Sequence, residues 1–173
     1  MMTHEILYKL AARVGRILKA RKLMLVTAES CTGGWLGEAA TMVPGSSDWY
    51  ERGYITYTYI SKREVLRVSR RTLAKFGAVS EQTAREMALG ALKISHAQVA
   101  VAVTGTAGPS GGTREKPVGT VCFAWAQKKG RISSQTMHFK GDRHAVRRQS
   151  VKHALRGVLV LFAPKKVIEL RTR

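Results

Sequence analysis

Cysteine is scarce in the 173-residue chain: Cys31 and Cys122 stand far apart and in no C-x-x-C arrangement. That excludes a disulfide framework and a cysteine-based zinc site, and it makes a reducing cytoplasm the default compartment. No apolar run reaches the ~18 residues of a transmembrane helix. The opening residues, MMTHEILYKLAARVGRILKARK, mix Glu5 and basic residues among the apolar ones. They show no separate apolar core or small-residue cleavage site, so no secretory signal is expected. The histidines, His4, His96, His138, His144 and His153, form no i, i+4 pair and have no cysteine or carboxylate cluster beside them. No metal is expected. Internal repeats and a domain linker are also missing.

Acidic side chains are few, 11 against 30 Lys and Arg, for a net charge of +19. Hydrophobic residues still make up 45% of the chain, so this is not the composition of a disordered polyelectrolyte. The charge is uneven. Residues 1–26 carry +5, 27–60 carry −3, 61–98 carry +5, 99–126 carry +1 and 127–173 carry +11. A nucleic-acid groove interleaves aromatics with its cations, but the last quarter has only Phe139 before Phe162. A solvated helix face with a basic tail reads at least as well, so nucleic acid is a partner left open and not favoured.

Periodicity predicts a single α/β/α three-layer domain over 1–163, with a mixed sheet, and a basic tail over 164–173. An amphipathic helix covers 4–20, and Leu23 to Thr27 reads as a strand buried on both faces. A helix over about 34–43 stops at Pro44-Gly45, and Gly53 to Tyr59 reads as a strand. Short helices follow near 62–67 and 70–76, and Ser80 caps a long one to about Ser95. Gln98 to Thr104 is another buried strand. A hairpin over 118–127 and 132–139 follows, and Asp142 caps a last helix to about Phe162. Trp35, Trp49 and Tyr50 are expected to be exposed and to support a homodimer.

Three segments carry candidate chemistry. Thr27-Ala-Glu-Ser-Cys-Thr-Gly-Gly34 lies between a buried strand and a helix, where unpaired N–H groups can hold a phosphate or an oxyanion. Ser30 there is either a nucleophile in need of a base or, with Thr32, a helix cap. Cys31 has no histidine partner and reads as packing. Tyr57 and Lys62 fall near the carboxyl end of a strand, where open α/β folds place their sites. A lysine base must be desolvated. Val103 to Thr113 is a glycine loop without the Gly-Lys-[Ser/Thr] of a P-loop. It suits a backbone cradle for a phosphate or carboxamide, with Thr104, Arg114 and Lys116 as possible helpers.

Together these segments resemble the CinA C-terminal domain family, whose stand-alone form is nicotinamide-nucleotide amidase. The resemblance is carried by Thr27-Ala-Glu-Ser-Cys-Thr-Gly-Gly34, Pro44-Gly-Ser-Ser47, Glu51-Arg-Gly53, Gly77-Ala-Val-Ser-Glu81, Gly105 with Ala107-Gly-Pro109, Glu115-Lys-Pro-Val-Gly-Thr120 and Gly141-Asp-Arg143. It implies hydrolysis of the carboxamide of nicotinamide mononucleotide to nicotinate mononucleotide and ammonia, with no metal or cofactor. It also implies Ser30 as nucleophile, Lys62 as base and Tyr57 as relay. Thr32, Gly33, Gly34, Thr104, Gly105, Gly108 and Arg143 are the expected substrate-binding residues. Oxyanion donors are expected near Gly33 or Gly105, and Arg143 with the glycine loop is expected to hold the phosphate. Tyr57-Thr-Tyr-Ile-Ser-Lys62 departs from the family's usual Tyr-Ser-Asn-Glu-Ala-Lys. A second reading rests on that departure and on the charge: an impaired member binding nucleic acid or a protein through its basic C-terminal quarter.

Overall fold

The computed structural model describes residues 2–163, so the basic tail expected over 164–173 lies outside the described residues. Helix α1 (Met2–Ala20) leads into strand β1 (Leu25–Glu29), helix α2 (Trp35–Thr41), a short 3-10 turn at Ser46–Asp48 and strand β2 (Tyr50–Ile55). Helices α3 (Tyr59–Leu66), α4 (Arg70–Phe76) and α5 (Glu81–Lys93) follow. Strands β3 (Val99–Gly105), β4 (Thr120–Gln127) and β5 (Ile132–His138) precede α6 (Arg143–Leu161).

The five strands form one sheet in the order β2-β1-β3-β4-β5. β1 pairs in parallel with both β2 and β3, while β3–β4 and β4–β5 are antiparallel. The sheet is therefore mixed, as the hairpin predicted. Alternation along the strands sends Leu25, Val99, Val101, Val103 and Phe123 to the layer of α1, α2 and α6. Val26, Ala28, Ala100, Ala102 and Cys122 go to the layer of α5 and the short helices before it. Both faces of β1 are covered and all five of its residues are buried, which explains its continuous apolar run.

The caps at Ser80 and Asp142 fall where the sequence placed them, each side chain accepting an N–H of the first turn. Other boundaries move. β1 starts at Leu25, after a helix end at which Lys22 takes a left-handed φ of 53° and Leu23 N–H donates to Leu18 O. β2 ends at Ile55, its last partner on β1 being Glu29. Tyr57 therefore lies beyond the strand, because a reciprocal cap between Thr58 and Ser61 turns the chain into α3 three residues before the helix was expected.

The aromatic expectation is corrected as well. Trp49 is 2% exposed, Trp35 is 8% exposed and Tyr50 is half-buried. Trp49 lies against α1, where a Cβ on Gly15 would come within 2.6 Å of its indole. The exposed large apolar groups instead include Ile55, Tyr57, Tyr59 and Ile60, around the end of β2 and the start of α3.

Close approach explains one glycine in a helix. A Cβ on Gly90 of α5 would collide with the Leu66 carbonyl that closes α3. In an open helix Gly→Ala stabilises by about 1 kcal/mol. Here Gly90→Ala should reverse that sign and cost roughly 1–3 kcal/mol through overpacking. Thermal unfolding should show a Tm several degrees below that of the parent; an unchanged or higher Tm would contradict the packing.

Candidate active site

The site begins with a buried acid. Glu29 ends β1 at 1% exposure, and its carboxyl oxygens accept from the N–H groups of Gly34 (3.0 Å), Leu36 (3.0 Å) and Gly37 (2.9 Å). Helix α2 starts on Gly34, at a φ of 94°, and has no cap from its own N-cap side chain. The unpaired first-turn donors are satisfied from the preceding strand instead. Two expectations are thereby corrected. The α2 N–H groups are not waiting for a ligand anion, and neither Ser30 nor Thr32 caps the helix. Glu29 was missed because it looked like one more charge. Its signal was an acidic residue two positions beyond a run read as a strand buried on both faces.

Ser30 follows at the point where β1 leaves the sheet. Its N–H still donates to Val103 O of β3 (3.0 Å), and its carbonyl accepts from Gly33 N–H (3.0 Å), so the turn is tied at both ends. The residue is 7% exposed. Lys62 reaches it from α3, in the turn that the Thr58–Ser61 cap sets. Its side chain is fully buried, with Nζ 2.9 Å from Ser30 Oγ, 2.6 Å from Thr56 O and 3.4 Å from Tyr57 O. Burial without a carboxylate partner disfavours the ammonium and pushes the Lys62 pKa down to about 8. As an ammonium, Lys62 donates to all three oxygens. As a neutral amine it can donate to the two carbonyls and turn its lone pair to the Ser30 hydroxyl. Ser30, which has no base beside it in sequence, has a lysine amine beside it in space. Cys31 beside it is buried, and burial pushes its thiol up to about 12. It stays protonated and is not a competing nucleophile.

The other expected residues separate into two groups. Arg143 donates to Gly108 O (2.9 Å) and to Tyr57 Oη (3.1 Å), so α6, the glycine loop and the segment before α3 meet at one guanidinium. Tyr57 thus brings its carbonyl, not its hydroxyl, to Lys62. Thr32 is fully buried, and its Oγ1 has no partner among the described residues; Thr56 Oγ1 beside Lys62 is in the same state. Gly33 has a φ of 61°, and a Cβ there would stand 3.5 Å from Arg147 Nη2. Arg147, which the sequence reading passed over, donates to Thr32 O (2.8 Å), and its guanidinium lies 5.4 Å from the Trp35 ring centroid.

Thr104 and Lys116 face elsewhere. The Thr104 hydroxyl donates to Ala78 O (2.8 Å), and the Lys116 ammonium donates to Phe76 O (2.6 Å), anchoring the glycine loop. Tyr59, in the stretch that departs from the family's usual run, accepts from Ala78 N–H (3.2 Å) and ties the start of α3 to the same junction. Among the described residues, cavities of about 460 Å³ lie beside Phe76 and His138 and beside Trp125 and His153. Neither is lined by Ser30 or Lys62; in the first, Thr120 Oγ1 lies 3.1 Å from His138 Nδ1 but gives its proton to Pro117 O (2.7 Å), so chemistry selects the Ser30–Lys62 contact over both. Among the described residues, no group of three His, Cys, Asp or Glu is placed to hold a metal.

A contact between a buried serine at the carboxyl end of a central strand and a lysine, in a mixed α/β sheet, is of the kind that acyl-transfer hydrolases use. The chain belongs to the CinA C-terminal domain family, which it matches over residues 7–162. It is 50% identical over 154 residues to "Nicotinamide-nucleotide amidohydrolase PncC" of Escherichia coli strain K12, covering 89% of this chain and 93% of that protein. The protein of the same name from Pseudomonas putida is 49% identical over 152 residues, covering 88% and 94%. Among solved structures, the competence/damage inducible protein CihA from Agrobacterium tumefaciens superposes with a TM-score of 0.89 at 44% identity, covering 91% of this chain and 96% of that one. A CinA superfamily protein from Escherichia coli gives a TM-score of 0.86 at 41% identity, with 90% of each chain covered.

Glu29→Gln tests the cap. An amide offers one acceptor oxygen where the carboxyl offers two, and its NH2 would face at least one backbone donor. The loss should be about 1–3 kcal/mol, seen as a Tm lower by some 2–10 °C. A Tm equal to that of the parent would mean that Glu29 does not hold the turn.

Proposed function

We propose that the chain hydrolyses the carboxamide of nicotinamide mononucleotide, giving nicotinate mononucleotide and ammonia, with Ser30 as nucleophile and Lys62 as general base. The observation that carries this reading is the 2.9 Å contact between a buried, depressed-pKa Lys62 and the Ser30 hydroxyl. It is supported by relatives about 50% identical over most of the chain that are named for this activity.

In the first half-reaction neutral Lys62 takes the Ser30 proton as Oγ bonds to the carboxamide carbon. The carbonyl oxygen becomes an oxyanion. Lys62 then delivers its proton to the amide nitrogen, the C–N bond breaks, ammonia leaves and an ester remains on Ser30. In the second half-reaction Lys62 takes a proton from water, hydroxide adds to the ester carbon, and that proton passes to Ser30 Oγ as the C–O bond breaks; the product leaves as the carboxylic acid and loses its remaining proton to solvent to become nicotinate mononucleotide.

Gly105 is the oxyanion donor that the geometry favours. Thr106 N–H donates to Thr120 O on the β4 side. Successive strand N–H groups point in opposite directions, so the Gly105 N–H points to the side of β1 and Ser30. Gly33 N–H is less suited, being held by Ser30 O. Arg143, now held by Gly108 O and Tyr57 Oη, is the guanidinium assigned to the substrate phosphate.

The reading extends to three properties of the whole protein. Residues 1–163 are taken as the catalytic domain. The cytoplasm is taken as the compartment, two buried free cysteines suiting a reducing one; among the described residues no helix is long and apolar enough to cross a membrane. The homodimer rests now on the exposed Ile55, Tyr57, Tyr59 and Ile60, not on Trp35 and Trp49.

Ammonia release should be measured with a panel of amide-bearing nucleotides. Nicotinamide mononucleotide should be the preferred substrate, and Ser30→Ala and Lys62→Met should each lose about 10²-fold or more. Lys62→Arg should not restore activity, because guanidinium stays protonated. Absence of ammonia release by the folded parent chain would overturn the reading. The pH dependence has a definite sign. Lys62 works unprotonated and its pKa is lowered to about 8, so kcat/KM should rise with pH to a plateau with a midpoint near 8. A profile flat from pH 6 to 9, or falling, would remove Lys62 as the base.

A further inference from the structure

The reaction proposed above needs little of the charge that makes the chain so basic. Six of the thirty Lys and Arg lie on one face. Helices α1 and α6 pack side by side on the same side of the sheet and end together, with the Arg21 guanidinium 5.1 Å from the Phe162 ring centroid. α1 buries Leu7, Ala11, Val14 and Leu18 against the core. Helical spacing therefore puts Lys9, Arg13 and Arg16 on the opposite, exposed stripe. α6 buries Val146, Val151, Ala154, Leu155 and Val158, which turns Lys152 and Arg156 outward one turn apart, with Arg148 in the same row. No acidic residue occurs anywhere in α6, and the acidic residue of α1, Glu5, is paired with Lys9 at 2.5 Å. Arg143 and Arg147 leave α6 on its other side, toward Ser30, so the basic face and the site are separate.

We propose that the α1–α6 face binds the phosphodiester backbone of double-stranded nucleic acid without reading its sequence. A 19-residue helix such as α6 is about 28 Å long. Duplex DNA carries about one charge per 1.7 Å of axis, so some 16 phosphates are spread around that length of duplex, and cations placed along the side that faces the protein release counterions on contact. Single strands need stacking surfaces. Among the exposed large hydrophobic groups of these two helices, Tyr8 is the aromatic one. A lipid surface needs a helix with a free apolar side, and both helices spend theirs on the core.

The test uses the whole protein and a fluorescein-labelled 20-base-pair duplex, with anisotropy followed over a range of salt concentrations. The quadruple variant R13Q/R16Q/K152Q/R156Q removes four cations from the face. The control K93Q/K128Q/K129Q/R131Q removes four from α5 and from the β4–β5 turn. Log affinity of the parent should fall linearly with log salt. The face variant should bind roughly tenfold or more weakly and flatten that slope by about 3, while the control should stay within about threefold. Both variants should release ammonia at the parent rate, which separates this proposal from the amidase reading. Equal losses in the two variants, no duplex binding by the parent, or tighter binding to anionic phospholipid vesicles than to the duplex would each overturn it.

Discussion

The arrangement depends on keeping a lysine amine out of water. Burying a charged ammonium without a carboxylate is costly, and the cost falls as the group gives up its proton. Lys62 has two carbonyls and a serine hydroxyl as neighbours and, among the described residues, no ion-pair partner at its Nζ. The charged and neutral forms can thus both be fully hydrogen-bonded, while burial tilts the balance toward the neutral one. A carboxylate in place of either carbonyl would favour the ammonium and move the Lys62 pKa back up. What surrounds Lys62 is therefore as important as its distance from Ser30.

Two other features serve that geometry. Glu29 ties the end of β1 to the first turn of α2, so the serine sits on a turn whose backbone is bonded to its neighbours on both sides. The Thr58–Ser61 cap starts α3 early and sets the turn from which Lys62 projects. The departure of Tyr57-Thr-Tyr-Ile-Ser-Lys62 from the family's usual run leaves that device in place. Thr58 and Ser61 supply a capping pair, and Tyr59 adds a bond to Ala78.

The layer order, the mixed sheet and the two side-chain caps at Ser80 and Asp142 were readable because each rests on local periodicity or local hydrogen bonding. Residues that act across the fold were not. Glu29 was counted as a charge, although its partners lie only five to eight residues onward, because a carboxyl inside a buried strand gives no periodic signal. The β2 boundary was set too late because Gly53-Tyr-Ile-Thr-Tyr-Thr-Tyr59 alternates like a strand, and a cap four residues long outweighs that alternation. Trp35 and Trp49 were assigned to the surface because their burial depends on α1, α6 and the chain path after Pro44. Ser30 and Lys62 were singled out by position and by resemblance. Their contact, 32 residues apart, could come only from the pairing of β1 with β2 and the turn into α3.

The net charge of +19 also takes on a different meaning once it is placed in the fold. Arg143 and Arg147 point to the site, Lys19 pairs with Asp48, and Lys116 anchors the glycine loop. Lys9, Arg13, Arg16, Arg148, Lys152 and Arg156 form an outward face on α1 and α6, away from Ser30. The central claim concerns one amine. Direct titration of the Lys62 side chain by NMR of carbon-labelled lysine, with its signal assigned from Lys62→Arg, tests it most directly. The account predicts a midpoint near 8, well below the ~10.4 of an exposed lysine. A Lys62 signal that titrates together with the surface lysines would contradict it.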